Sequence, residues 1–170
     1  TTSSRPIRPS RSASGCCERC EVNAPRIRPA RQTDVRAMKK LLAEHGLPRA
    51  DLGRYVDAFL VAEDDEGLAG CAGLEVYGAS AILRSVAVAG RLRGTGLGQR
   101  LTEEAIALAR RHGVRRLYLF TMTAERFFAR FGFHRIHIDE MDPNVRESHQ
   151  YRIVRRRWPG TEIRPMLLEL

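Results

Sequence analysis

Two stretches of the chain repeat apolar residues at helical spacing, and several shorter runs alternate or cluster them as strands do, which together predict an α/β fold. Val35, Met38, Leu41 and Leu42 mark one face of a first helix. Thr33 stands where an N-cap belongs, Asp34 suits the positive helix end, and His45, Gly46 and Pro48 close the helix. Leu97, Leu101, Ala105 and Leu108 define a longer helix that ends in Arg110, Arg111, His112 and Gly113. Between the two helices lie a short helical turn at 51–57 and strand-like runs at 58–63, 68–76 and 81–88. The turns Asp65-Glu66-Gly67 and Gly78-Ala79 suit antiparallel hairpins. A first strand at 26–30, a buried parallel strand at 117–121, a short helix at 124–131 and a strand at 133–137 extend the pattern. Asp142 before Pro143 caps one more short helix, and a strand at 163–168 ends the chain. A meander followed by a strand-helix-strand crossover predicts a mixed, mostly antiparallel sheet of about six or seven strands with flanking helices.

The stretch at 82–98, ILRSVAVAGRLRGTGLG, joins an apolar strand to a glycine-rich turn and then to the long helix. Gly94, Gly96 and Gly98 carry no Cβ to hold a ligand away from the backbone, and the free amides of the helix start attract phosphate. Arg91 and Arg93 add positive charge beside them. A P-loop is excluded, because Gln99 and Arg100 stand where Lys and Ser or Thr are required. A dinucleotide site is disfavoured too: the next strand ends in Thr121 and Met122 rather than in an acidic residue.

Arg93, Gly96 and Gly98 instead fit the pattern Arg or Gln, two residues, Gly, one residue, Gly or Ala, directly after a strand ending in Val-Ala-Val. Together with AERFFARFGF at 124–133, this resembles the GNAT family of N-acetyltransferases over about 27–133. The resemblance implies the GNAT fold over 25–170, in which two neighbouring strands splay apart, and acetyl-CoA as cosubstrate. It places the pyrophosphate on Arg93, Gly94, Thr95, Gly96, Leu97 and Gly98, and the pantetheine arm along Val86, Ala87 and Val88, whose backbone N–H groups also serve the oxyanion. Phe128 lines the cofactor site where many relatives carry a Tyr that protonates the departing sulfur. The strings FLVAEDDEGLAGCAGLEVYG and TAERFFARFGF look most like acetyltransferases encoded beside arsenic-resistance genes.

Glu75, late in a strand facing the expected cleft, is read either as the base that deprotonates the amine or as an ordinary strand residue, with Glu63 as an alternative base. Arg84 is read as a clamp for an anionic acceptor, an amino acid or an amino-acid-like toxin, assisted by Arg49 and Arg54. Its rival reading is a snorkelling side chain, or one paired with Glu75 across adjacent strands. No spacing of Ser, His and Asp marks a triad, so direct attack without an acyl-enzyme is expected. A coenzyme A-binding sensor or scaffold stands as the alternative, favoured by Phe128 and the open question of the base.

Composition narrows the picture further. A chain of 170 residues with 43% hydrophobic content supports one core and a tail. Residues 1–24, rich in Ser, Thr, Arg and Pro, are expected to be disordered. Cys16, Cys17 and Cys20 lie there, short of the four ligands that closed zinc sites use, so no metal site is assigned; they read as tail thiols, with a metalloid as the alternative. The net charge of +9 is dispersed and lacks an aromatic stacking platform, which argues against nucleic acid as a partner. Without a membrane-length apolar run or a signal-like start, the expected location is cytoplasmic, and the assembly is left open, a homodimer included.

Overall fold

Seven strands form a single sheet in the order β1-β2-β3-β4-β5-β7-β6 in the computed structural model, which describes residues 24–159 and 163–170. The strands are β1 (Arg26–Pro29), β2 (Phe59–Asp64), β3 (Gly67–Tyr77), β4 (Ser80–Val88), β5 (Arg116–Thr121), β6 (His134–Arg135) and β7 (Arg164–Glu169). All neighbours are antiparallel except β4 and β5, which run parallel, as a crossover through the long helix requires. The helices are α1 (Val35–Glu44), α2 (Leu97–Arg111), α3 (Glu125–Ala129), α4 (Pro143–Arg146) and α5 (His149–Arg157). Among the described residues no helix is long and apolar enough to cross a membrane. The expectations for the tail and its three cysteines lie outside the described residues.

The two faces of the sheet carry different cores. Leu60, Ala62, Ala72, Leu74, Ala81 and Leu83 point to α2, meeting Leu97, Leu101, Ala105 and Ala109. Phe59, Val61, Cys71 and Ala87 point the other way, to Met38, Leu41 and Leu42 of α1. Farther along that second face Ile82 and Tyr118 pack with Met141 and Val145. Burial pushes the Cys71 thiol up to about 12, and its Sγ donates to the Ser85 carbonyl at 3.3 Å.

Two expectations are corrected, and one helix went unread. Thr33 does not cap α1: the chain enters through a 3-10 turn, Gln32–Asp34, and the Asp34 Oδ2 accepts the Arg31 N–H at 2.7 Å. The Arg28 guanidinium also binds this carboxylate, at 2.8 Å, holding Asp34 below the usual carboxylate range. The strand at 133–137 shrinks to the two residues of β6. Helix α5, whose buried positions are only Gln150, Tyr151 and Val154 among several arginines, carried too thin an apolar stripe to be read as a helix.

One irregularity positions the site. The register steps from Cys71↔Ala87 to Gly73↔Arg84, so β4 spends three residues where β3 spends two. This bulge places Ser85 at φ +58 and reverses the parity of the strand. Ile82 and Arg84 share the α1 face before it, whereas after it Ala87 takes that face and Val86 and Val88 pack toward α2. Opposite the bulge, Gly73 has no room for a side chain, since a Cβ would lie 2.3 Å from the Phe59 ring. Gly73→Ala is therefore expected to cost about 1–3 kcal/mol by overpacking. Calorimetry should read this as a fall in Tm of about 2–4 °C per kcal/mol.

Candidate active site

Parallel pairing of β4 with β5 lasts for three residue pairs, ending at Ile82↔Tyr118. Beyond that point β5 stays bonded to β7, out to Thr121↔Arg164, while β4 turns away from β5. The gap is a cleft of about 420 Å³. Strand β4 lines it with Arg84 to Val88, β5 with Leu119 to Thr121, α3 with Phe127 and Phe128, and α5 with Gln150 and Val154.

Of the residues expected to hold a cofactor, Val86, Ala87, Val88, Gly98 and Phe128 line this cleft. The Ala89 N–H bonds to the Ala69 carbonyl at 2.8 Å, so by antiparallel alternation the backbone groups of Val88 point away from β3, into the gap. His45, from the end of α1, already reaches one of them: its Nε2–H donates to the Val88 carbonyl at 2.9 Å. The other ring nitrogen, Nδ1, accepts from the Arg93 guanidinium at 3.2 Å. His45 was legible in the sequence only as the end of a helix.

Arg93, Gly94, Thr95 and Gly96 form the turn that leads into α2, beside the cleft residue Gly98. Gly94 and Gly96 have φ of +77 and +85, and a Cβ on either would meet nothing within 4 Å. Glycine is needed there for the left-handed turn, and the side facing the helix start is open. The Thr95 Oγ1 donates to the Leu92 carbonyl at 2.7 Å and ties the turn. Leu97 buries its side chain in the core, leaving its amide at the helix start. The first amides of α2 have no intrahelical acceptor and carry the positive end of the helix dipole. An open turn at the positive end of a helix dipole attracts anions.

Arg91 does not add its charge to that turn, contrary to expectation. Its guanidinium is bidentate on Asp64, at 2.6 and 2.7 Å, and touches Glu66 at 3.3 Å. The Arg91 hydrogen bonds hold Asp64 below the usual carboxylate range. Glu63, the alternative base, is likewise bound elsewhere, to Arg28 at 2.7 Å.

Glu75 and Arg84 form one ion pair, the rival reading of Arg84, rather than a base and a separate clamp. Glu75 is fully buried and does not line the cleft. Its Oε1 accepts from the Arg84 NH1, and its Oε2 accepts from the Tyr77 hydroxyl at 2.8 Å. Arg84 lies opposite Gly73, and Glu75, two residues on, shares its face, so the pair is a cross-strand diagonal. The remaining arms of Arg84 donate to the Ser85 hydroxyl and to the Ala50 carbonyl, each at 3.3 Å. Arg84 is thus fixed at three points with one flank on the cleft. Arg54 turns to the Tyr55 ring instead, 5.7 Å from its centroid. No Asp or Glu lines the cleft among the described residues. No group of three or more His, Cys, Asp or Glu that could hold a metal ion occurs among them either.

Phe128 packs edge-on against Phe127 and Phe133, so it is part of an aromatic wall. Gln150, on α5, faces the cleft from the side of Arg84 and went unread because its helix did.

Residues 56–135 match the family model of the acetyltransferase (GNAT) domain. An amino-acid acetyltransferase from Ralstonia nicotianae is 31% identical over 102 residues, which is 59% of this chain and 23% of that protein. The N-acetylglutamate synthase of Neisseria gonorrhoeae, solved with coenzyme A and N-acetyl-glutamate, superposes with a TM-score of 0.72 at 26% identity, over 86% of this chain and 35% of that one. A Mycobacterium tuberculosis protein solved with CoA superposes at 0.69 and 27% identity, over 86% of this chain and 99% of that one. The chain therefore spans about a quarter to a third of the first two relatives. With its sheet splayed between β4 and β5 and its glycine turn at the start of α2, the chain carries the acyl-CoA N-acyltransferase fold, and residues 56–135 are similar to the acetyltransferase (GNAT) domain.

Proposed function

We propose that this domain transfers acetyl from acetyl-CoA to the amine of a small, anionic, amino-acid-like acceptor. The observation that carries the reading is a single cleft that runs from a helix start suited to phosphate, at Gly96, to a buried guanidinium, Arg84, with no carboxylate between them among the described lining residues. Such a cleft offers a polyamine no carboxylate to pair with and presents hydrogen-bond donors to an acceptor's carboxylate at the Arg84 end. Support comes also from the relatives, an amino-acid acetyltransferase and a synthase solved with N-acetyl-glutamate. An amino-acid-like toxin, the acceptor that the likeness to arsenic-linked acetyltransferases implies, offers the same amine and carboxylate.

Thr95 and the amides from Gly94 to Gly98 hold the pyrophosphate, and the inward backbone of Val86 to Val88 takes the pantetheine arm as a missing strand would. When bound, the thioester supplies the activated acetyl group. The neutral amine forms the C–N bond as the C–S bond breaks, its proton passes to water, and a backbone N–H in the 86–88 segment holds the oxyanion. Glu75 acts here as a positioning residue that keeps Arg84 in place rather than as the base. Phe128 gives no proton to sulfur, and a thiol of pKa ~8.5 leaves as thiolate at a cost of about 2 kcal/mol near neutrality.

The test is free-thiol release from acetyl-CoA across a panel of amino acids and polyamines. Turnover of dicarboxylic or other anionic amino acids ahead of spermidine is expected. A preference for spermidine would overturn the acceptor class. Tight acetyl-CoA binding without turnover of any amine would favour a sensor instead, a reading the absence of a carboxylate from the described lining keeps in play.

A further inference from the structure

Resting on the acetyl-transfer reading, we propose that Gln150 is the residue that holds the acceptor nitrogen: its Oε1 takes one N–H of the incoming amine and turns the lone pair toward the thioester. Gln150 is only 5% exposed, and its Oε1 is buried without a hydrogen-bond partner. Leaving such an oxygen unsatisfied costs about 1–3 kcal/mol. The side chain faces the cleft, so a bound ligand can supply the missing donor.

The chemistry of the site narrows the donor to the acceptor amine. A carboxylate and a thioester carbonyl offer no N–H and cannot satisfy Oε1. The pantetheine amides do carry N–H groups, but the Val88 carbonyl, which points into the gap and keeps a second lone pair beside the one His45 uses, is placed to accept from one of them. Helix α5 belongs to the opposite side of the sheet from α2 and its glycine turn: Tyr151, next to Gln150, stacks on Phe120 at 5.3 Å, and Phe120 packs with the Ile82 cluster on the Arg84 face. An amino acid with its carboxylate toward Arg84 brings its amine, one or two bonds away, within the same end of the cleft. A neutral amine has two N–H donors and one lone pair, so binding one N–H leaves the lone pair free to attack.

Two substitutions test this, each in the full chain. Gln150→Leu removes an unsatisfied oxygen, so native stability should be kept, while kcat/KM for the amino-acid acceptor falls about tenfold or more and acetyl-CoA affinity is unchanged. Gln150→Glu should keep acceptor binding but favour the ammonium form, moving the acidic limb of the kcat/KM profile up by about one pH unit. Normal kcat/KM in folded Gln150→Leu would overturn the proposal. So would a drop in acetyl-CoA affinity, which would assign Gln150 to the cofactor, or a loss of amino-acid binding in Gln150→Glu, the behaviour of a side chain that donates to the carboxylate. If the wild-type protein acetylates no amine at all, the functional reading falls first and this one with it. Turnover by the wild type with Gln150→Leu equally active defeats this proposal alone.

Discussion

Arg84→Met should lower the melting temperature by roughly 10 °C or more, because it strands the Glu75 carboxylate, fully buried, without its countercharge. Removing one partner of a buried ion pair costs about 3–5 kcal/mol. At this chain length each kcal/mol shifts Tm by about 2–4 °C. The double variant Glu75→Leu/Arg84→Met should recover most of that loss, since an apolar pair of similar volume needs no desolvation of charge. It should also separate structure from function: a stable double variant that has lost anionic acceptors but still binds acetyl-CoA assigns Arg84 to the acceptor. If the single variant melts like the wild type, Arg84 and Glu75 are not the buried pair described above.

Gly96→Val should weaken coenzyme A binding by about 30-fold or more while leaving the sheet intact. The residue sits at φ +85, a conformation a β-branched side chain scarcely adopts, directly before the first turn of α2. Because a Cβ there meets no protein atom within 4 Å, the loss comes from displaced turn amides and a blocked approach rather than from a clash in the core. Charge-assisted hydrogen bonds of the kind phosphate makes there are worth about 1.5–3 kcal/mol each. Calorimetry with coenzyme A on a variant with native circular dichroism is the measurement. Unchanged affinity would remove the pyrophosphate from this turn.

The parts of the fold written in local pattern were legible in the sequence. The parallel strand at 117–121, the antiparallel meander, the long helix and the glycine turn all stand where periodicity and turn chemistry put them, with ends shifted by a residue or two. Misreadings arose where a tertiary partner decides. The run from Ile82 to Val88 reads as one continuous strand, and only the pairing with β3 shows that one residue is surplus. Glu75 and Arg84 were each visible as unusual in apolar strands, but the diagonal that joins them depends on register. Arg91 and Arg93 looked equivalent, and they differ because Asp64 and His45 lie on other elements. Helix α5 hid because a single turn of apolar residues suffices when a cleft, not a core, receives the rest of that face.

The brevity of the β4–β5 pairing has a mechanical consequence. Among the described residues, strand pairing joins the four strands on one side to the three on the other at Ser80, Ala81 and Ile82, with the Ala79 carbonyl bonded to the Arg115 and Arg116 N–H groups beside them. The sheet is in effect two plates riveted at one end, like tongs, with the cleft as the open jaws. The bite is set by the angle at the rivet and by what α5 and α1 rest against. Across the joint Leu83 packs in one cluster with Leu117 and Leu119, and Ile82 in another with Tyr118, so the hinge end of the jaws is braced from both faces of the sheet.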